Sequence, residues 1–289
     1  MDSTWQKGVV VGVDGSPESL AALDWAAAAA DRHTAQLTVL SMYETARDPL
    51  PGVQVELKDL RVSAEQALHR AEGRLGGRRP GGHAAEFAVT AAAPARVLVQ
   101  RSQTADLVVV GRRGLGTVSR ALLGSVSSTV VARAHGPVVV VPYEAGTGNP
   151  RRVVVGVDMP YDADLILEHA FAEAESCGCA LDVVRALDVS LLGDALREYE
   201  SYGMTQRAAT QEGLEQEVRT WSEKFPTVSA ALAVRGGPAA SVLVRGTTSD
   251  DLLVVGGRRH NRVAGRILGS VTDRVVREAT CPIMVVKVK

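Results

Sequence analysis

Val9-Val10-Val11-Gly12-Val13-Asp14 recurs unchanged as Val153-Val154-Val155-Gly156-Val157-Asp158, at an offset of 144 residues (153 − 9) in a chain of 289. Further blocks keep this register. Asp106-Leu107-Val108-Val109-Val110-Gly111 matches Asp251-Leu252-Leu253-Val254-Val255-Gly256 at an offset of 145 (251 − 106). Gly136-Pro137-Val138-Val139-Val140-Val141 likewise matches Cys281-Pro282-Ile283-Met284-Val285-Val286. A near-constant register over several blocks marks a duplication, and a period this long marks two whole domains rather than a solenoid. Domains over 1–145 and 150–289 are expected. The linker between them, Glu144-Ala145-Gly146-Thr147-Gly148-Asn149-Pro150, is rich in residues that end packing.

Within the first half, Val9–Val13, Leu37–Leu40, Leu107–Val110 and Val138–Val141 are almost continuously apolar and β-branched. Strands buried on both faces of a parallel sheet read this way. Ala-rich amphipathic stretches, Leu20–Ala30 and Ala64–Leu75, lie between them. Ser16-Pro17-Glu18 reads as a helix start, with an N-cap serine, a proline at the first helical position and an acid at the positive dipole end. Strands alternating with helices predict an α/β fold, each domain a parallel sheet covered by helices. Ligands of such sheets bind at the carboxyl ends of the strands, at the topological switch point.

That rule directs attention to the end of Leu107–Val110. There Gly111-Arg112-Arg113-Gly114 is followed by nine residues and then Gly124-Ser125-Val126-Ser127. Gly111 and Gly114 can adopt positive φ and admit a ligand close to the backbone. Gly124 and Ser125 stand where unpaired N–H groups and the helix dipole favour phosphate. Ser125 and Ser127 add hydroxyl donors. The competing reading is an ordinary strand-to-helix connection that contains glycine. Asp14 ends the first strand; it either caps the following helix or, since Ser16-Pro17 fills that role, serves a ligand at the switch point.

The pattern G-x2-G-x9-G-[ST] after a fourth strand resembles the ATP-binding motif of the universal stress protein family, and Gly111, Gly114, Gly124 and Ser125 match it position for position. Val11–Ser19 is similar to the family's opening strand and turn, and the resemblance covers essentially the whole chain, twice. It implies a five-stranded parallel sheet in the order 3-2-1-4-5, related to the adenine nucleotide α-hydrolases. It also implies ATP as ligand, with Mg2+ accompanying the phosphates. The implied site in the first half is Gly12, Val13 and Asp14 (the aspartate on the adenosine), Met42 beside the adenine, and Gly111, Arg113, Gly114, Gly124, Ser125, Val126 and Ser127 around the phosphates. In the second half it is Val157, Asp158, Ala186, Gly256, Arg259, Gly269, Ser270, Val271 and Thr272.

The second copy departs from the motif. Gly256 and Gly269-Ser270 keep the outer spacing, but Arg259 stands where Gly114 stands and Asn261 where Gly116 stands. Met159-Pro160-Tyr161 replaces Gly15-Ser16-Pro17. Arg259 either pairs with a phosphate or fills the pocket, and the N-terminal site is expected to be the tighter. Arg112, Arg113, Arg258, Arg259, Arg262 and Arg266 either compensate phosphate charge or belong to solvated loops. Glu44–Val55 and Asp188–Thr205 are long enough to act as lids.

Composition narrows the function. A net charge of −1 and 4% aromatic residues exclude a strongly basic or stacking nucleic-acid binder. The N-terminus has no signal-peptide pattern and no apolar run approaches the roughly 20 residues that span a bilayer, so a cytoplasmic protein away from membranes is expected. His33, His69, His83, His135, His169 and His260 show no metal-ligand spacing. Cys177, Cys179 and Cys281, an odd count with no CxxC, read as small hydrophobes rather than a redox pair. A Walker A lysine is missing, as are the His-x-Gly-His and double-glycine signatures of related nucleotide-processing enzymes. A regulatory ATP-binding module therefore leads, ahead of a slow ATPase or a nucleotide-free dimerisation scaffold. The resemblance further implies fifth strands paired within one chain as a pseudo-dimer, and a homodimer of chains.

Overall fold

A computed structural model describes residues 7–44, 57–114, 123–146, 148–158, 160–187, 200–258 and 269–288. Contacts divide the chain into two compact units, Met1–Asn149 and Pro150–Lys289. The first runs β1 (Val9–Val13), α1 (Pro17–His33), β2 (Leu37–Tyr43), α2 (Leu57–Leu75), β3 (Glu86–Ala91), α3 (Pro94–Arg101), β4 (Leu107–Gly111), α4 (Ser125–Arg133) and β5 (Val138–Val141). Every pairing is parallel and the strand order is β3-β2-β1-β4-β5. Val11 lies opposite Val39 on one side and Val109 on the other, which puts β1 at the centre of the sheet.

The second unit repeats this path with β6 (Arg152–Val157), α5 (Pro160–Cys177), β7 (Ala180–Leu187), α6 (Glu200–Lys224), β8 (Ala230–Gly236), α7 (Ala239–Arg245), β9 (Asp251–Arg258), α8 (Ser270–Glu278) and β10 (Ile283–Val288). Its order is β8-β7-β6-β9-β10, again all parallel. Both units thus carry the 3-2-1-4-5 sheet.

The valines of β1, β4 and β5 are buried on both faces, as continuous apolar strands require. α1 is buried almost all round: Ala22, Ala26, Ala27, Ala29 and Ala30 are inaccessible, and their small side chains let the helix lie close to the sheet while Trp25 fills the remaining space. Ser16 caps it, accepting from Ser19 N, with Pro17 next in line. The second unit fills the corresponding layer differently, with Phe171, Trp221 and Phe225 at ring-centroid separations of 5.7–6.4 Å. The amino ends of the fourth strands are pinned by a matching aspartate. Asp106 accepts from the backbone N–H groups of Lys7 and Gly8 at 2.6 and 2.9 Å. Asp251 instead holds the Arg152 guanidinium at 2.7 Å.

Two expectations need correction. The segment after β5 is packed, not loose. Glu144 holds Arg112 Nη2 at 3.2 Å, and Arg32 donates to Gly148 O and to Asn149 Oδ1. Gly148 lies so close to α1 that a Cβ on it would stand 2.8 Å from Ala28 Cβ. The second correction is that Cys177 and Cys179 are joined in a disulfide. Gly178 between them has φ +62°, which turns the chain back and leaves the two Cα atoms 5.4 Å apart, inside the range a disulfide spans. Of the lids expected over Glu44–Val55 and Asp188–Thr205, residues 45–55 and 188–199 lie outside the described residues, while 200–205 belong to α6.

Candidate functional site

The carboxyl ends of β1, β2 and β4 and the start of α4 enclose a cavity of about 290 Å3, close to the lower bound of roughly 300 Å3 for small-molecule pockets. Every residue expected for the first half lines it. Gly12, Val13 and Asp14 come from the end of β1, Met42 from β2, and Gly111, Arg113 and Gly114 from the loop after β4. Gly124, Ser125, Val126 and Ser127 come from the start of α4. Ser19, Pro94, Leu98 and Val110 also line it and were not anticipated.

One end of the cavity is apolar. A Cβ on Gly12 would stand 3.0 Å from Leu98 Cδ1 and 3.4 Å from Met42 Cε, so this glycine makes room for both side chains. The other end is polar and begins with Asp14. Asp14 Oδ1 accepts from Ser16 N at 2.9 Å, and Asp14 N donates to Ser19 Oγ at 3.3 Å. The aspartate therefore braces the turn into α1 while it lines the cavity.

The two early glycines act by closeness rather than by φ. Neither Gly111 nor Gly114 has positive φ. A Cβ on Gly111 would sit 2.9 Å from the Glu18 carbonyl, and one on Gly114 would collide with Asp14 Oδ2. The loop can thus lie against the first turn of α1 only where side chains are missing. Arg113 then reaches Glu18 at 3.1 Å, with both side chains largely buried, and its Nε is buried with no hydrogen-bond partner among the described residues. Arg112 is also buried and turns away to Glu144. Neither arginine belongs to a solvated loop, and Arg112 does not line the cavity.

Gly124 caps α4. Its N–H donates to Arg112 O at 3.0 Å, and its carbonyl accepts the first helical bond, from Ser128 N, at 2.9 Å. The N–H groups of Ser125, Val126 and Ser127 follow in the first turn, where the helix supplies no acceptor and the dipole is positive. The Ser127 hydroxyl is committed elsewhere. It is buried and donates to Arg112 O at 2.8 Å and Gly124 O at 3.0 Å, so it braces the loop instead of serving as a spare donor.

In the second unit the same spacing gives a different place in the fold. β9 extends to Arg258 because β10 extends to Val288, with Lys287 opposite Gly257. In the first unit Pro142 occupies the position of Lys287 (287 − 142 = 145) and both strands have ended by then. Gly256 consequently lies within a strand, where a Cβ would meet Ile166 Cδ1 at 2.7 Å. Thr272 Oγ1 donates to Gly256 O at 2.7 Å. Val157 is buried at the end of β6, and Asp158 is exposed just after it. Ala186, on β7, stands in place of Met42. Gly269 and Ser270, exposed, and Val271 open α8. Arg259, with His260, Asn261, Arg262 and Arg266, lies outside the described residues. Among the described residues no three of His, Cys, Asp or Glu gather as metal ligands. No described helix is long and apolar enough to cross a membrane.

Comparison with known proteins agrees with this double architecture. A universal stress protein of Mycolicibacterium smegmatis is 31% identical over 300 aligned positions, covering 99% of both chains. A solved universal stress protein from Archaeoglobus fulgidus shares the fold over 98% of each chain, with a TM-score of 0.68 at 19% identity. A solved universal stress protein in complex with cAMP covers 48% of this chain at 30% identity, with a TM-score of 0.37. The model of the universal stress protein family matches residues 7–142 and again 149–287, so the chain belongs to the universal stress protein family as a tandem of two such domains.

Proposed function

We propose that the N-terminal unit binds ATP and that the protein acts as a nucleotide-responsive regulator of stress physiology with little or no turnover. The observation that carries the reading is one cavity with an apolar end, a carboxylate and a helix N-terminus. Met42 and Leu98 offer a wall for a flat base. Asp14 offers an acceptor for ribose hydroxyls. The backbone N–H groups of Ser125, Val126 and Ser127 and the Arg113 guanidinium offer donors to phosphate oxygens. Two further features support the fit: the buried Arg113 Nε lacks a partner among the described residues, and a Cβ at Gly114 would take up the space beside Asp14. Mg2+ would accompany the phosphates and neutralise part of their charge. Among the described residues, the titratable side chains lining the cavity are Asp14 and Arg113, a set suited to holding a nucleotide rather than to activating water. The C-terminal unit is proposed as the weaker site, because Gly256 is drawn into the sheet and Ala186 offers less apolar wall than Met42.

Mass spectrometry of nucleotide released on denaturation, with titrations of adenosine, AMP, cAMP and ATP, tests the ligand. Turnover should stay far below the ~10 s⁻¹ of a median enzyme; a rate near that value would overturn the regulatory reading. Asp14→Ala should cost about 1.5–3 kcal/mol of affinity, the worth of a hydrogen bond to a charged group. It should also lower thermal stability modestly, since Ser16 N loses its acceptor. Unchanged affinity would remove Asp14 from the site.

A further inference from the structure

The two copies end their first helix in the same way. In the first unit, Thr34 adopts the left-handed conformation with φ +49°, Thr34 N donates to Asp31 O, and Ala35 N donates to Ala30 O. In the second, Gly178 has φ +62°, Gly178 N donates to Glu175 O, and Cys179 N donates to Ala174 O. These are corresponding positions, since 178 − 34 = 144, and they form one helix C-cap twice. Only the second copy places a cysteine on each side of the left-handed residue, and it joins them. The cap therefore closes without sulfur, as His33-Thr34-Ala35 demonstrates, and the bond is not what shapes the turn.

Its setting suits exchange chemistry. Cys177 and Cys179 are both partly exposed, Gly178 is exposed, and apart from its two chain neighbours no described residue has an atom within 4 Å of the place a Gly178 Cβ would occupy. A reagent can reach the sulfurs from that side. A bridge between residues two apart closes a minimal loop and removes little entropy from the unfolded chain. Exposed disulfides are the ones most readily reduced. The site also lies at the amino end of β7, at the opposite end of the strands from the carboxyl-end nucleotide motif. Cys281 stands apart from this chemistry: it is wholly buried, and burial pushes its thiol up to about 11.

We propose that Cys177-Gly178-Cys179 is a reversible thiol–disulfide site whose reaction partner is a low-molecular-weight thiol and its disulfide. A thiolate of the small molecule attacks one sulfur, forming a mixed disulfide and releasing the other cysteine as a thiolate that takes up a proton. A second small thiol, as thiolate, attacks the small-molecule sulfur of the mixed disulfide and releases the first cysteine as a thiolate, which also takes up a proton. Two small thiols are oxidised to one disulfide and the protein bond is reduced to two thiols, a two-electron exchange that runs in either direction.

The test uses the intact, folded protein equilibrated in glutathione buffers from fully reduced to fully oxidised, then acid-quenched, alkylated and digested. The expected result is that the peptide holding Cys177 and Cys179 passes from two alkyl groups to none across the series. The peptide holding Cys281 should stay unlabelled until the protein is unfolded. The double variant Cys177→Ser/Cys179→Ser should fold with the far-UV spectrum and melting temperature of the reduced wild type. A bond that resists reduction until unfolding would overturn the proposal, and so would thiols that persist in fully oxidised buffer. A double variant that fails to fold would overturn it too, by making the bond structural.

Discussion

The carboxyl ends of the two sheets show how far a motif can drift while its spacing stands still. The outer glycines lie thirteen positions apart in both copies (124 − 111 and 269 − 256). In the first unit that interval begins at the end of β4, and Gly111 rests on the first turn of α1. In the second it begins inside β9, because the ladder continues through Gly257 and Arg258 opposite Lys287 and Val288. What differs is the neighbouring strand. Pro142 follows β5 where Lys287 prolongs β10. A binding loop is thus bounded by how far the neighbouring strand runs, and not by its own glycines alone.

The sharpest way to break this comparison is to place a carboxylate at each helix start. Gly124→Glu should abolish the tight phase of ATP binding in calorimetric titration, since like charges brought together cost several kcal/mol. Gly269→Glu should leave that phase intact. The reverse pattern would rank the halves the other way. A smaller effect is expected from Val288→Pro, which removes the N–H that the parallel register turns toward Gly257. Losing a ladder bond should destabilise by about 1–3 kcal/mol and speed hydrogen exchange at Gly257. If exchange there is unchanged, strand length is governed by something other than the partner strand.

The smallest effect concerns charge on the helix after the second strand. In the first unit α2 brings the Arg70 guanidinium against the Gly15 turn. In the second, α6 carries Glu217, whose Oε2 is buried without a partner among the described residues. Burial, and then the negative charge of Asp164, raise the Glu217 pKa. The folded protein therefore binds this proton more tightly than the unfolded chain does. Its contribution to stability is complete below the unfolded pKa and is lost as pH rises through the folded one. Glu217→Gln should raise the melting temperature at pH 7 by the equivalent of at most about 0.5 kcal/mol and leave it unchanged at pH 3. An equal gain at both pH values would assign the effect to packing.

Most of the first half was legible because its signals are local. The valine runs of β1, β4 and β5 carry burial on both faces in their composition, and Ser16-Pro17 carries the start of α1. Repetition extended those readings to the second half. β3 was not singled out: Glu86–Ala91 is a half-exposed edge strand with polar residues at Glu86 and Thr90, and so lacks the apolar run. Leu98 and Pro94 were missed because their place in the cavity depends on Gly12 receiving α3, a contact between segments far apart in the chain. The glycines at 111 and 114 were found for an incomplete reason, since composition reveals a missing side chain but not what occupies its space.

The packing of Gly148 against α1 matters to anyone who wishes to take the protein apart. A first half cut at Ala145 would lose the Gly148 and Asn149 acceptors of Arg32 and uncover α1 beside Trp25 and Ala28. Any weakening of such a fragment would then be charged wrongly to the missing second domain. A half that runs through Asn149 keeps the clasp, and only a comparison made with it can say what each copy does alone.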